Sequence, residues 1–295
     1  MNLRELMVLL LVCTIWGMHI IVIKVGVSEI PPMFYAALRM SLVAALLSPF
    51  LRWRSGQMAR IFFAGICLGG LNYIFMFTGL NHATASASAL ALELYVPFAT
   101  ILSVIFLKER VGIKRIAGIT LAFSGVALIA LSKGELDLTF GISLMAMAAF
   151  FDATGAVILK KTEGFKPLQM LAWFSLIGMA TLWVATFMFE DQQVEKLQEG
   201  DTKLVISAIL FSALGGSIIG HSCYYWLLQR LPLSLLAPNV LLTTFLSVIF
   251  AVILLGEKLT PPIIFGGIMI MIGVGIILVR TNRNATIEPN PEALS

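Results

Sequence analysis

Charge is what this chain has least of. Asp, Glu, Lys and Arg supply 12% of its 295 residues, against roughly 25% in soluble domains, so a water-soluble globular fold is excluded. Cysteine is scarce too. Cys13, Cys67 and Cys223 all lie inside apolar runs, which argues against a disulfide framework and leaves them as small buried residues. The three histidines, His19, His82 and His221, lack metal-ligand spacing, so no metal is expected. Absent also are GxxxxGK[ST], HExxH and GxSxG. Nothing here hydrolyses ATP, and an intramembrane hydrolase has no visible nucleophile and base. The expectation is a protein that is not an enzyme, carries no cofactor and binds no nucleic acid.

What the chain has instead is apolar length. Mean hydropathy is +0.96, and apolar runs fall at roughly 6–25, 32–51, 61–80, 84–107, 114–132, 139–159, 168–189, 204–228, 234–255 and 262–280. Each approaches the 20 residues or so that span a bilayer as helix, and none alternates as barrel strands do. The fold class is therefore an all-α integral membrane protein with ten transmembrane helices. The first run ends in Lys24 without an A-x-A-like site, so no cleaved signal peptide is expected. Ten spans put both termini on one face, which collects fourteen lysines and arginines against five on the other, Arg39 lying inside a span. Positive residues stay inside, so both termini are expected in the cytoplasm.

The halves repeat. At an offset of 148 residues Ser86 meets Ser234, Glu109 meets Glu257, Gly118 meets Gly266 and Gly125 meets Gly273. At an offset of 136, Lys24 meets Lys160 and Pro31 meets Pro167, the difference being taken up by the loop 190–203. Five spans per unit is an odd number, so the second unit enters from the opposite face: two inverted five-helix repeats, which place a site at the midplane between them. The repeats are expected at 1–135 and 136–281, with a disordered cytoplasmic tail at 282–295.

Polar residues inside spans are costly, about 2.5–3.5 kcal/mol for a charge at the centre on insertion scales, and so mark partners or cavities. Glu93 lies in the fourth span with Pro97 one turn on, and proline's missing N–H is expected to leave the carbonyl of residue 93 unpaired. A carboxylate there fits a substrate ammonium, a proton site or a bond to a neighbouring helix. Asp152 sits among small residues in the sixth span and fits either a cavity or an interhelical hydrogen bond. Arg39 suits carboxylate recognition, but equally snorkelling to the interface or pairing with Asp152 or Glu93. Trp16, His19, Asn72, Tyr73, His221, Tyr224, Tyr225 and Asn239 complete polar or aromatic stripes on at least five helices. A shared central cavity accounts for so many stripes. Glu109 with Arg110 and Glu257 with Lys258 end corresponding helices and read as hairpin-closing ion pairs, structural or gating like Pro97 and Arg39.

The segments WGMHIIVIKVGVSEIPPMFYAALRM, LKERVGIKRIAGITLAFSGV and LLGEKLTPPIIFGGIMIMIGVGII resemble the EamA family of the drug/metabolite transporter superfamily across nearly the whole chain. The resemblance implies a multi-pass protein of the cell inner membrane. Its cavity would be formed mainly by the first, third, fourth, sixth, eighth and ninth helices, and it would export amino acids or related metabolites by alternating access. On that reading Glu93 and Asp152 meet the ammonium, the aromatic residues pack the side chain, and Asn72, His221 and Asn239 offer hydrogen bonds. Glu93 is the candidate for coupling to protons, and the protein works in the bilayer as a monomer on a small-molecule substrate. Alternatives are a transporter of lipophilic cations or other metabolites, and a non-transporting receptor or scaffold.

Overall fold

The computed structural model describes residues 1–109, 111–132, 136–231, 236 and 238–285. Among the described residues every regular element is helical, and ten helices account for the apolar runs. In chain order these are α1 (Leu3–Glu29), α2 (Pro32–Phe50), α3 (Met58–His82), α4 (Ala85–Leu107), α5 (Ile113–Ala130), α6 (Asp137–Leu159), α7 (Pro167–Phe189), α8 (Thr202–Leu228), α9 (Pro238–Leu255) and α10 (Pro261–Ala285). A short helix, Gln193–Glu199, occupies the long loop. Even the 18 residues of α9 rise about 27 Å, close to the thickness of a hydrocarbon core. The last helix continues through 282–285, residues expected in the tail; 286–295, Arg110, Lys133 and Ser234 lie outside the described residues.

Local chemistry sets the boundaries. Asn2 and Glu5 form a reciprocal capping box at the start of α1. Four helices, α2, α7, α9 and α10, begin on proline, whose missing N–H costs nothing in a first turn. The repeated turns after α4 and α9 are one device. Lys108 and Gly256 take left-handed backbone, φ 57 and 65. The next amides, of Glu109 and Glu257, reach back six residues to the carbonyls of Ser103 and Ala251, closing each helix end through a left-handed residue.

The inverted repeat is visible in the packing. α2 packs on its counterpart α7 and α5 on its counterpart α10. α1 packs on α8 and α9 of the second half, and its counterpart α6 packs on α3 and α4 of the first. Glycine makes the α5–α10 contact possible. A Cβ on Gly118 would stand 2.7 Å from the Gly273 carbonyl oxygen, and one on Gly125 2.6 Å from that of Gly266. The glycine faces thus serve packing within the chain. Large apolar side chains such as Phe187, Phe189, Ile253 and Phe265 point outward, as lipid-facing surfaces require.

Two of the helices carry π turns. They fall at Ile66–Leu71 in α3 and Phe211–Ile219 in α8, overlapping positions of the repeat. A π turn leaves carbonyls free to accept other donors and re-aims side chains, often at functional sites. α4 is interrupted as well, its helical segments ending at Leu92 and resuming at Tyr95.

Candidate functional site

These irregularities surround a central cavity of about 600 Å³. All ten residues singled out as substrate contacts line it: Trp16, His19, Asn72, Tyr73, Glu93, Asp152, His221, Tyr224, Tyr225 and Asn239. The lining comes from α1, α3, α4, α6, α8 and α9, as the resemblance implied, with α2 (Arg39, Met40) and α7 (Leu171, Phe174) in addition. It reaches Leu159, Leu171 and Val240 on the face that carries the N-terminus. Towards the other face no lining residue enters the last turn of α1 or α3 or the first turn of α4. A second hollow of about 520 Å³, containing Arg52, Lys166 and Trp226, opens on the N-terminal face and shares Tyr225 with the cavity.

One wall is aromatic. The Trp16 ring lies 5.4 Å from His221 and 5.3 Å from Tyr224 between centroids, and His221 lies 6.0 Å from Tyr225. The π turn of α8 supplies the anchor, since the indole Nε1 of Trp16 donates to the Gly216 carbonyl at 3.1 Å. His221 Nδ1 lies 2.9 Å from the Ser217 carbonyl. A carbonyl can only accept, so Nδ1 carries the proton in that contact. Asn72 donates to the Ala148 carbonyl at 2.9 Å, tying α3 to α6, and the Asn239 side-chain oxygen accepts from the Cys13 thiol. Both amides thus hold helices together as well as lining the cavity.

The acidic wall is built by the break in α4. Glu93 is buried; one carboxylate oxygen accepts from the Thr244 hydroxyl of α9, and the other has no protein partner. The expected free carbonyl at residue 93 is absent: it accepts the Val96 amide at 3.1 Å. The chain tightens into i→i+3 bonding just before Pro97, which uses the carbonyl that a regular α-helix would have orphaned. The break also brings Tyr95 to the cavity beside Glu93, although residues two apart on an unbroken helix point in nearly opposite directions. Tyr95 gave no sequence signal for that reason, and Thr244 gave none because it is not at helical spacing from Asn239, unlike Thr243 and Ser247, which follow it at intervals of four. Asp152 enters from α6 and forms no hydrogen bond or ion pair among the described residues.

Arg39, grouped by sequence with the framework, lines this cavity too. It neither snorkels, being 1% exposed, nor pairs with Glu93 or Asp152 among the described residues. Of the hairpin ion pairs, Glu109–Arg110 rests on Arg110, outside the described residues, and Glu257–Lys258 needs correction. Glu257 accepts from the amides of Ala85 (2.5 Å) and Ser86 (3.0 Å), capping α4 from the end of α9 rather than closing its own hairpin with Lys258. Glu109 lies 3.3 Å from Lys160, just past the end of α6. An exposed helix-end carboxylate prefers unpaired amides to a solvated lysine next door.

The sequence profile of the EamA-like transporter family matches residues 3–131 and again 139–279. A protein of Salmonella typhimurium named "Probable amino-acid metabolite efflux pump" is 28% identical over 95% of this chain and 97% of its own length. One of Escherichia coli with the same name is 28% identical over 94% and 95%. An uncharacterized transporter of Archaeoglobus fulgidus is 26% identical over 93% and 99%. A solved crystal structure with 16% identity superposes with a TM-score of 0.62 over 96% of this chain and 99% of its own, a likeness of fold. With its family profile matched in both halves, a ten-helix inverted repeat and a cavity between the halves, this chain belongs to the EamA-like transporter family of the drug/metabolite transporter superfamily.

Proposed function

We propose that this transporter exports amino acids or related zwitterionic metabolites by alternating access, with Glu93 and Asp152 meeting the substrate ammonium. One observation carries the reading: two carboxylates from α4 and α6 line one central cavity, and neither is neutralised by a protein cation among the described residues. An unpaired charge at this depth is costly, and a cationic group on the substrate offsets that cost. Trp16, His221, Tyr224 and Tyr225 pack the side chain. The names of the bacterial relatives agree with this substrate class.

The positive-inside bias supports a cytoplasmic N-terminal face. The cavity extends towards that face, as loading for export requires. The α5–α10 glycine contact is satisfied within the chain, which supports a monomer. Protons are the coupling ion, taken up and released at Glu93.

The test is counterflow by purified protein in liposomes, with labelled L-amino acids and the lipophilic cation tetraphenylphosphonium as alternative substrates. The expected outcome is saturable exchange of one or more amino acids with none of tetraphenylphosphonium. Exchange of the cation alone would replace this reading with a drug transporter, and exchange of neither would sink both.

A further inference from the structure

The feature of the cavity that the ammonium reading leaves unused is its cation. Arg39 is 1% exposed and lies well inside α2. Its Nη2 donates to the Ser217 hydroxyl of α8 at 2.7 Å, and its guanidinium carbon stands 4.9 Å from the Tyr73 ring centroid. These contacts fix the plane and direction of the head group. They leave the rest of it idle: Nε and Nη1 find no protein acceptor, and those atoms carry three of a guanidinium's five N–H donors. No carboxylate pairs with it among the described residues.

We infer that Arg39 is the anchor for a substrate carboxylate, a specificity residue lining the same cavity as Glu93 and Asp152. A strut between α2 and α8 would need only the Ser217 bond and could be a neutral donor. A permanently charged fork, oriented yet with donors unfilled, is suited to a planar anion that arrives with the substrate. The anion is singly charged. Arg39 is the only Lys or Arg among the cavity-lining residues described, whereas a phosphate, carrying nearly two charges, would call for more cations. Cation and carboxylates that line one cavity without pairing have the polarity of a zwitterion. The identity of the other end of the substrate rests on the export reading above; the carboxylate end rests on Arg39 alone.

Matched probes separate the two. Each L-amino acid that exchanges in the liposome assay is compared with its primary amide, which keeps the ammonium and loses the anion. It is also compared with its des-amino carboxylic acid, which does the reverse. Wild type should bind the acid about 10- to 100-fold more tightly than the amide. Arg39→Gln should erase that ratio by weakening the acid while the amide holds, and Arg39→Lys should restore part of it. Equal affinity of wild type for acid and amide overturns the inference without touching amino acid export. Equal losses for acid and amide in Arg39→Gln, in protein that melts as wild type does, make Arg39 a strut and overturn it too. Should Arg39→Gln fail to fold, the wild-type ratio alone decides. Binding of des-amino acids in preference to amino acids would instead fell the zwitterion reading and leave the carboxylate anchor standing.

Discussion

Glu93 is held by one bond to Thr244 and keeps its second oxygen buried and unpartnered by protein, so one oxygen is fixed and the other stands unsatisfied until a partner reaches it. That suits a group that exchanges an ammonium for a proton. Glu93→Gln preserves shape and can still accept from Thr244, but it cannot carry a proton. With an imposed pH gradient, wild type should accumulate substrate above equilibrium, whereas Glu93→Gln should fall to the level reached without a gradient and still catalyse exchange. If the gradient drives both proteins equally, the coupling role is wrong. At this scale the sequence was a good guide to which residues line the cavity, because a charge or amide inside an apolar run advertises itself by its cost. It was a poor guide to their partners. Thr244 is an ordinary residue for a membrane helix, and only the fold brings it to Glu93 across 151 positions.

Among elements, the α5–α10 pair shows how tightly the framework is set. Gly118 and Gly125 of one helix meet Gly273 and Gly266 of the other with backbone oxygens under 3 Å from where a methyl would be. Backbone cannot turn aside as a side chain can. Gly118→Ala should therefore destabilise the protein by about 1–3 kcal/mol and lower its melting temperature in detergent. Gly112→Ala should not: it sits at the start of the same helix with nothing within 4 Å and an ordinary negative φ of −79. Equal melting temperatures for the two variants would mean that the crossing yields more easily than the geometry allows. Helix number, length and the glycine faces were legible in the sequence, since hydropathy, terminal prolines and a seven-residue spacing are local signals. The break at Glu93–Leu94 was half legible, Pro97 giving the place but not the tightened bonding that satisfies the carbonyl. The π turns had no sequence signal beyond small residues (Gly69, Gly70, Gly215, Gly216), because they arise from the fit of α3 to α7 and of α8 to α1.

For the molecule as a whole the question is what shuts one end of the cavity. On the face away from the N-terminus, charged side chains from one helix satisfy the bare ends of another. Lys24 Nζ donates to the carbonyls of Leu80 (2.7 Å) and Ala83 (2.9 Å) at the end of α3, and the Glu257 carboxylate accepts the first amides of α4. Glu190 does the same for Met33 and Phe34 at the start of α2. The repeat counterparts of Lys24 and Glu257 are Lys160 and Glu109, and among the described residues their side chains bond only to each other on the N-terminal face, half exposed. On that face Lys161 Nζ donates to the Phe106 carbonyl at 3.4 Å and Arg60 to the Lys161 carbonyl at 2.5 Å, but no carboxylate of one helix caps the start of another among the described residues. A difference between the two faces is what an alternating-access machine of inverted repeats would show in either end state. Hydrogen bonds to a charged group contribute about 1.5–3 kcal/mol, enough to shift a two-state balance by about tenfold or more. Glu257→Ala should thus favour the state open on the far face. The measurement is labelling of a cysteine placed at the cavity residue Met76, in a background lacking Cys13, Cys67 and Cys223, by an impermeant thiol reagent applied from the side opposite the N-terminus. Labelling should be slow with Glu257 present and about tenfold faster in Glu257→Ala, and substrate added on the N-terminal side should slow it again. Unchanged labelling would show that closure is carried by helix packing alone, and that the Glu257 cap merely finishes the end of α4.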